Sequence, residues 1–158
     1  MLDVLVIVPC GKSKVWDKHP NRGPTPAADA YIGAPFTLNR AYAEYYGDAW
    51  VVLSAKYGLI EPEFEIPEPY EVAFNKLRTC PIEAGTLRQQ VEDLRLNRYA
   101  VVVGLGGAAY RKAICAAFAR SPVNLAFPFA GLPIGKMMQA TKRAVQEGRP
   151  GFDREGPG

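Results

Sequence analysis

Four short runs of apolar, largely β-branched residues punctuate the chain, at 4–8, 50–53, 99–103 and 123–127, and each gives way to a polar or glycine-rich turn. The turns read PCGKSK, SAKYG, GLGGAAYRK and PFAGLPIGK. Between the runs lie stretches with helical periodicity, at about 35–46, 82–96, 108–119 and 134–146. Strands that alternate with helices imply a parallel sheet covered on both faces. The pattern predicts a single α/β domain over 1–147, with a mainly parallel sheet of four or slightly more strands and helices on both faces. GRPGFDREGPG, from Gly148 onward, has little to bury and is expected to form a disordered tail over 148–158.

Within the first helical stretch, Phe36, Leu38, Ala41, Tyr42 and Tyr45 form the apolar stripe, and Asn39, Arg40 and Glu44 are expected to face elsewhere. The segment 51–74 breaks the regular alternation. It leaves a strand at Val51, Val52 and Leu53 and enters a loop that carries Glu61, Glu63, Glu65, Glu68 and Glu71 without one Lys or Arg. A long loop in a compact domain is usually functional or disordered. The interleaved Phe64, Ile66, Tyr70, Val72 and Phe74 argue for order.

Composition narrows the classes. A chain of 158 residues with 48% hydrophobic content supports one core. The formal charge of +3 permits a polyanionic partner without implying one. Cys10, Cys80 and Cys115 are widely spaced and form no CxxC pair, so the chain suggests neither a disulfide framework nor a metal cluster. No apolar run approaches the roughly 18 residues of a membrane span. The expectation is a cytoplasmic protein that takes no metal or cofactor and does not engage a membrane.

Right-handed crossovers would place all four strand exits on one edge of the sheet, where open α/β folds bind ligands. Cys10, Gly11, Lys12, Ser13, Lys14, Ser54, Lys56, Tyr57, Gly58, Gly106, Gly107, Arg111 and Lys136 all fall at these exits. They are expected to converge on one crevice. PCGKSK offers a glycine, two lysines and a serine in the manner of a phosphate-binding turn, although it lacks the GxxxxGK of a Walker A loop and the downstream DKHPNRGPTP is not expected to be helical. Cys10 has only His19 as a histidine base in the chain, so a small structural cysteine is the stronger reading of it than a nucleophile. GLGGAAYRK does not meet GxGxxG; it suits either an anion at a helix N-terminus or close packing of helix on strand.

The segment LSAKYGLIEPEFEIPEPYEV resembles the Ser-x-x-Tyr-Gly and Pro-Tyr elements of YaaA-like proteins, here Ser54, Tyr57, Gly58, Pro62, Pro69 and Tyr70. VPCGKSK is similar to the Pro-Cys-x-x-x-Lys element of the related core domain of archaeosine synthase, with Lys14 on the lysine position. Val15, Trp16 and Asp17 stand where Pro-Tyr-Ser would follow. GLPIGKMMQATKRAV resembles the late Gly-Lys helix start of the same proteins. The resemblance implies DNA binding, protection against oxidative stress and an α/β core of the uracil-DNA-glycosylase kind. The glycosylase motifs GQDPYH and HPSPL are absent from the chain.

The reading that follows is an enzyme acting on a nucleobase in nucleic acid, of the DNA glycosylase type and independent of metal. Tyr57 and Tyr70 would stack on the extruded base, and Lys12, Lys14, Lys56 and Lys136 would hold phosphates. The catalytic carboxylate is expected to be Glu71 or Glu65, then Asp29, unless the glutamates form no more than a solvated loop. Lys14 or Lys56 could serve as an amine nucleophile if burial lowers its pKa. A DNA-binding stress protein without catalysis and an enzyme on a free nucleotide or sugar phosphate are the alternatives.

Overall fold

In the computed structural model, which describes residues 2–154, the strands appear where the apolar runs predict them. They are β1 (Val4–Pro9), β3 (Ala49–Ser54), β6 (Val101–Gly104) and β7 (Asn124–Ala126). With β4 (Gly58–Ile60) they form one sheet in the order β4-β3-β1-β6-β7, parallel except for β4. Strand β1 lies at the centre, paired to β3 on one flank and β6 on the other, and all six of its residues are buried.

Alternation along β1 sorts the core into two layers. Val4, Val6 and Val8 pack under α3 (Ala34–Tyr46) and α6 (Ile134–Glu147), together with Phe36, Tyr42, Tyr46 and Ala144. Leu5 and Ile7 point the other way, onto Leu87 and Val91 of α4 (Ala84–Asp93) and Ile114 and Ala117 of α5 (Ala108–Ala117). A strand covered on both faces has to be apolar at every position, and β1 is. Because α3 and α6 cover one face while α4 and α5 cover the other, the chain reverses direction across the sheet between β1 and β6. Ligands in such folds bind beyond the strand ends at that reversal.

Three expectations change. After β3 the chain does not run straight into the expected loop. It turns back through Ala55, Lys56 and Tyr57 into the antiparallel β4, because Gly58 takes a φ of +77° that a three-residue hairpin needs. The segment 15–30 also holds two one-turn helices, α1 (Val15–Lys18) and α2 (Ala27–Ala30), so part of DKHPNRGPTP is helical after all. Between and beyond them, β2 (Thr25–Pro26) pairs with β5 (Glu65–Ile66) and anchors the acidic loop. Third, Gly148 to Arg154 is no loose tail: the Tyr42 hydroxyl donates to Pro150 O at 2.5 Å, Phe152 packs edge-on against Tyr46, and Leu2 N donates to Arg154 O. Residues 155–158 of that expected tail lie outside the described residues.

The stripe on α3 is rotated from its expected position. Its buried residues are Phe36, Asn39, Tyr42, Ala43 and Tyr46, at spacings of three and four, whereas Tyr45 is 58% exposed. Asn39 therefore faces inward, because it sits where α3 passes over the ends of the strands rather than over their apolar middle.

Candidate functional site

The end of β1 places Cys10, Gly11, Lys12, Ser13 and Lys14 across the top of the sheet, and two groups of side chains meet there. On the β3 side, Lys14 is buried, and its backbone N–H donates to Asp17 Oδ2 at 2.8 Å, which starts α1 and fixes the turn. A single bridge pairs Lys14 with Tyr31. The ammonium nitrogen lies 4.5 Å from the Tyr70 ring centre and 6.0 Å from that of Tyr31, and it donates to Lys12 O at 3.3 Å. Burial pulls the Lys14 amine below its ordinary value of 10.5. The charges of Cys10, Asp17 and Glu71 push back without cancelling that effect.

Beneath Lys14 runs a chain of hydroxyls. Ser54 Oγ accepts the backbone N–H groups of Lys56 and Tyr57 at 3.2 and 3.1 Å, which fills both of its lone pairs. Its own proton is left to donate to the Tyr70 hydroxyl at 2.8 Å, and Tyr70 in turn donates to Tyr31 at 2.5 Å. Tyr31 ends this relay and is itself buried. Burial raises Tyr31 and Tyr70 well above the usual tyrosine range, so both keep their protons at any physiological pH.

On the β6 side, Tyr110 projects back from the first turn of α5. Its hydroxyl donates to Cys10 O at 3.1 Å and lies 3.4 Å from Cys10 Sγ. Cys10, Gly11, Lys12 and Ser13 line a cavity of about 240 Å³ together with Gly106, Gly107 and Tyr110. Cys10 thus stands between the cavity and the lysine group, half-buried and unpaired.

The expected site residues divide accordingly. The structure brings together Cys10, Lys14, Ser54, Tyr57 and Tyr70, with Lys56 at the rim, 5.3 Å from the Tyr57 ring and 5.8 Å from that of Tyr70. Gly58 works as the turn that returns β4 rather than as a ligand contact. Tyr70 is not an open stacking platform: it is 6% exposed, and Lys14 covers its ring. Of the carboxylates, Glu71 is exposed yet close enough to Lys14 to act on its charge, while Glu65 points to solvent from the β2–β5 ribbon and Asp29 lies with Arg40 on another surface. Arg111 bonds back to Gly106 O at 3.3 Å. Lys136 is exposed and does not line the cavity, whereas Ile134, Met137 and Met138 of the same helix do.

Sequence reasoning missed Tyr31, Tyr110 and Asn39. Tyr110 was recoverable, since three residues beyond Gly107 puts it one turn into the helix and over the strand end. Tyr31 carries no local signal; only its bridge to Lys14 places it.

A family model described as a family of unknown function (DUF6884) matches residues 5–143, from the start of β1 almost to the end of α6. The chain belongs to this family. The DUF6884 match spans every residue of the site. The chain is also similar to YfjM of Bacillus subtilis (strain 168), described as uncharacterized, at 35% identity over 144 residues that cover 90% of this chain and 95% of that one. Among solved structures it is similar to the crystal structure of AF0587, a protein of unknown function, at 13% identity and a TM-score of 0.45, with 92% of this chain and 45% of that chain covered. The chain thus spans less than half of AF0587. Among the described residues of this DUF6884 member, no helix is long and apolar enough to cross a membrane, and no group of three or more His, Cys, Asp or Glu side chains is placed to hold a metal ion.

The buried tyrosines set the alkaline limit of the fold. Tyr31, Tyr42, Tyr70 and Tyr110 all hold their protons above the ordinary value of 10.0, with burial the main cause. Above pH 10 the unfolded chain ionises these groups while the native protein does not, so stability falls as pH rises. Urea melts between pH 9 and 11 should show the midpoint dropping steeply. Tyr70→Phe should flatten that slope, and an unchanged slope would separate the relay from alkaline unfolding.

Proposed function

We propose that the protein is an enzyme acting on a nucleobase or nucleoside in nucleic acid, cleaving an N-glycosidic bond with the Lys14 amine as its nucleophile. One observation carries this reading: a lysine buried at the exit of the central strand, its pKa lowered by desolvation, beside a buried relay of hydroxyls. Catalytic lysines that form Schiff bases are made this way. Support for a polyanionic substrate comes from Lys12 and Lys56, both exposed at the rim. The resemblance to YaaA-like proteins adds the nucleic-acid link. A cytoplasmic setting belongs to the same reading, supported by three unpaired cysteines.

The neutral Lys14 Nζ attacks C1′ of the sugar, and the C1′–N bond breaks with its electron pair leaving on the base nitrogen, which takes the proton that Nζ sheds on bonding to C1′. Tyr31, 3% exposed beneath Lys14, keeps its own proton and stays out of this transfer. The ring oxygen then leaves C1′, taking the second amine proton as it becomes a hydroxyl, and an imine joins Lys14 to the sugar. Water adds to the imine carbon, returning the amine and an abasic aldehyde. Glu71, whose charge reaches Lys14, would orient that water.

The test is incubation of the protein with single- and double-stranded oligonucleotides carrying uracil, hypoxanthine or oxidised bases, with and without borohydride. Abasic product and a reduced covalent adduct are expected, and the rate should climb with pH along a limb lying below 10.5, as Lys14 loses its proton. Absence of product on every lesion would defeat the reading. One specific feature favours a second reading, an enzyme on a free nucleotide or sugar phosphate: the cavity beside Cys10, at about 240 Å³, is small for a strand of nucleic acid. Thermal stabilisation by mononucleotides but not by oligonucleotides would select it.

A further inference from the structure

The mechanism drawn from Lys14 leaves the cavity between the ends of β1 and β6 without a task. Three helices begin at its wall: α3 through Gly33 and Pro35, α5 through Gly106 and Gly107, and α6 through Ile134. They are 13, 10 and 14 residues long. Each contributes the positive end of its dipole and first-turn amides, fewer at α3, where Pro35 has no N–H. Helix ends alone do not make a ligand site, since solvent satisfies them equally well.

Asn39 changes that. Its side chain lines the cavity and is 8% exposed, yet its amide makes no hydrogen bond to any other described residue. The amide is not sealed: what exposure the residue keeps reaches its polar atoms, and the hollow that Asn39 lines is the space they open onto. Of the sixteen residues that line the cavity, none is acidic, and Lys12 stands among them. The donors therefore surround a space with no anion of its own to answer them.

We propose that this cavity binds a phosphate monoester, its oxygens held by the Asn39 side-chain N–H and by the first-turn amides of α5 and its neighbours, with Lys12 at the mouth. Three convergent helix ends suit a group bearing nearly two negative charges and three exposed oxygens better than they suit a carboxylate. The volume, equivalent to roughly eight waters at about 30 Å³ each, leaves room for a carbon skeleton against Phe36 and Met138. Cys10 sits between this site and Lys14, so a phosphate here would fix a substrate whose reacting carbon lies on the far side of the thiol. The site goes beyond the Lys14 reading and stands whether or not that amine cleaves a glycosidic bond. The phosphate would come from a free mononucleotide or from the end of a strand.

The experiment follows backbone amide resonances of the full chain while inorganic phosphate, thymidine 5′-monophosphate, thymidine, and a 5′-phosphorylated oligonucleotide are added in turn. Inorganic phosphate at millimolar concentration should move Gly106 and Gly107, and thymidine alone should not. Asn39→Asp, nearly equal in volume but anionic, should weaken phosphate at least tenfold. Lys12→Glu, a change at an exposed position that leaves packing alone, should weaken it several-fold and keeps the test alive if the first variant misfolds. Tighter binding of the mononucleotide supports the site and assigns it a free nucleotide; tighter binding of the oligonucleotide supports it and assigns it a strand end. No shift at 20 mM phosphate (a concentration on the order of those that saturate weak anion sites), or equal affinity in folded Asn39→Asp and Lys12→Glu, overturns it. A borohydride adduct on Lys14 with no phosphate response would leave the first reading standing and remove this one.

Discussion

Lys14→Arg should abolish the borohydride-trapped adduct as completely as Lys14→Met, and each should lower turnover on the order of 10³-fold or more. Charge is kept in the first variant and volume in the second, so only the loss of a neutral amine is common to both. Arginine cannot shed its proton at this depth, and its planar head cannot attack carbon. The native protein bears the cost of a buried ammonium: below the lowered folded-state pKa of Lys14 that cost is present in full, and it is recovered as pH rises from there to 10.5, where the unfolded chain still holds the proton. Lys14→Met removes the cost. Its melting temperature at pH 7 should equal or exceed that of the natural protein, which separates lost chemistry from lost fold. Turnover in Lys14→Arg within tenfold of normal would remove Lys14 from the mechanism.

Gly58→Ala should be among the most damaging single changes to stability. Its φ of +77° costs an alanine about 1–2 kcal/mol. The added methyl would also stand 2.1 Å from Gln90 Oε1. That amide clamps the hairpin to α4, accepting from Leu59 N–H and donating to Tyr57 O, both at 2.8 Å. Displacing it forfeits bonds worth about 1 kcal/mol each. A loss of roughly 3 kcal/mol, or about 10 °C in melting temperature, is expected by calorimetry. Gly107→Ala is the control, because nothing lies within 4 Å of where its methyl would go, and it should melt within about 2 °C of the natural protein. Equal melting temperatures for Gly58→Ala and Gly107→Ala would show that the clamp does not hold the hairpin.

Strand positions were legible because β1, β3 and β6 are apolar on both faces, and a run such as LVIV admits little else. Helix bounds at 34–46, 108–117 and 134–147 followed from periodicity to within two residues. The hairpin after Ser54 was not foreseen, although SAKYG ends in the glycine that makes it. Its evidence lies in φ, which composition does not display. Among site residues, those in the strand-exit turns were found from topology alone. Tyr31 and Asn39 were not, because each acts through a contact set by tertiary packing. Asn39 was assigned to the wrong side of α3 since a polar residue on an amphipathic helix is read by default as wet. The glutamates drew attention by number, and only Glu71 came near the lysine.

The central strand has partners on both flanks and cover on both faces, so opening it requires dismantling the whole sheet. Its amide hydrogens should be the last in the molecule to exchange with deuterium, at rates set by global unfolding. Cys10 N–H, bonded to Leu53 O, extends that protected ladder into the turn itself. Lys14 is therefore mounted five residues beyond the end of the slowest-breathing element of the protein, in a turn whose first amide belongs to the same ladder.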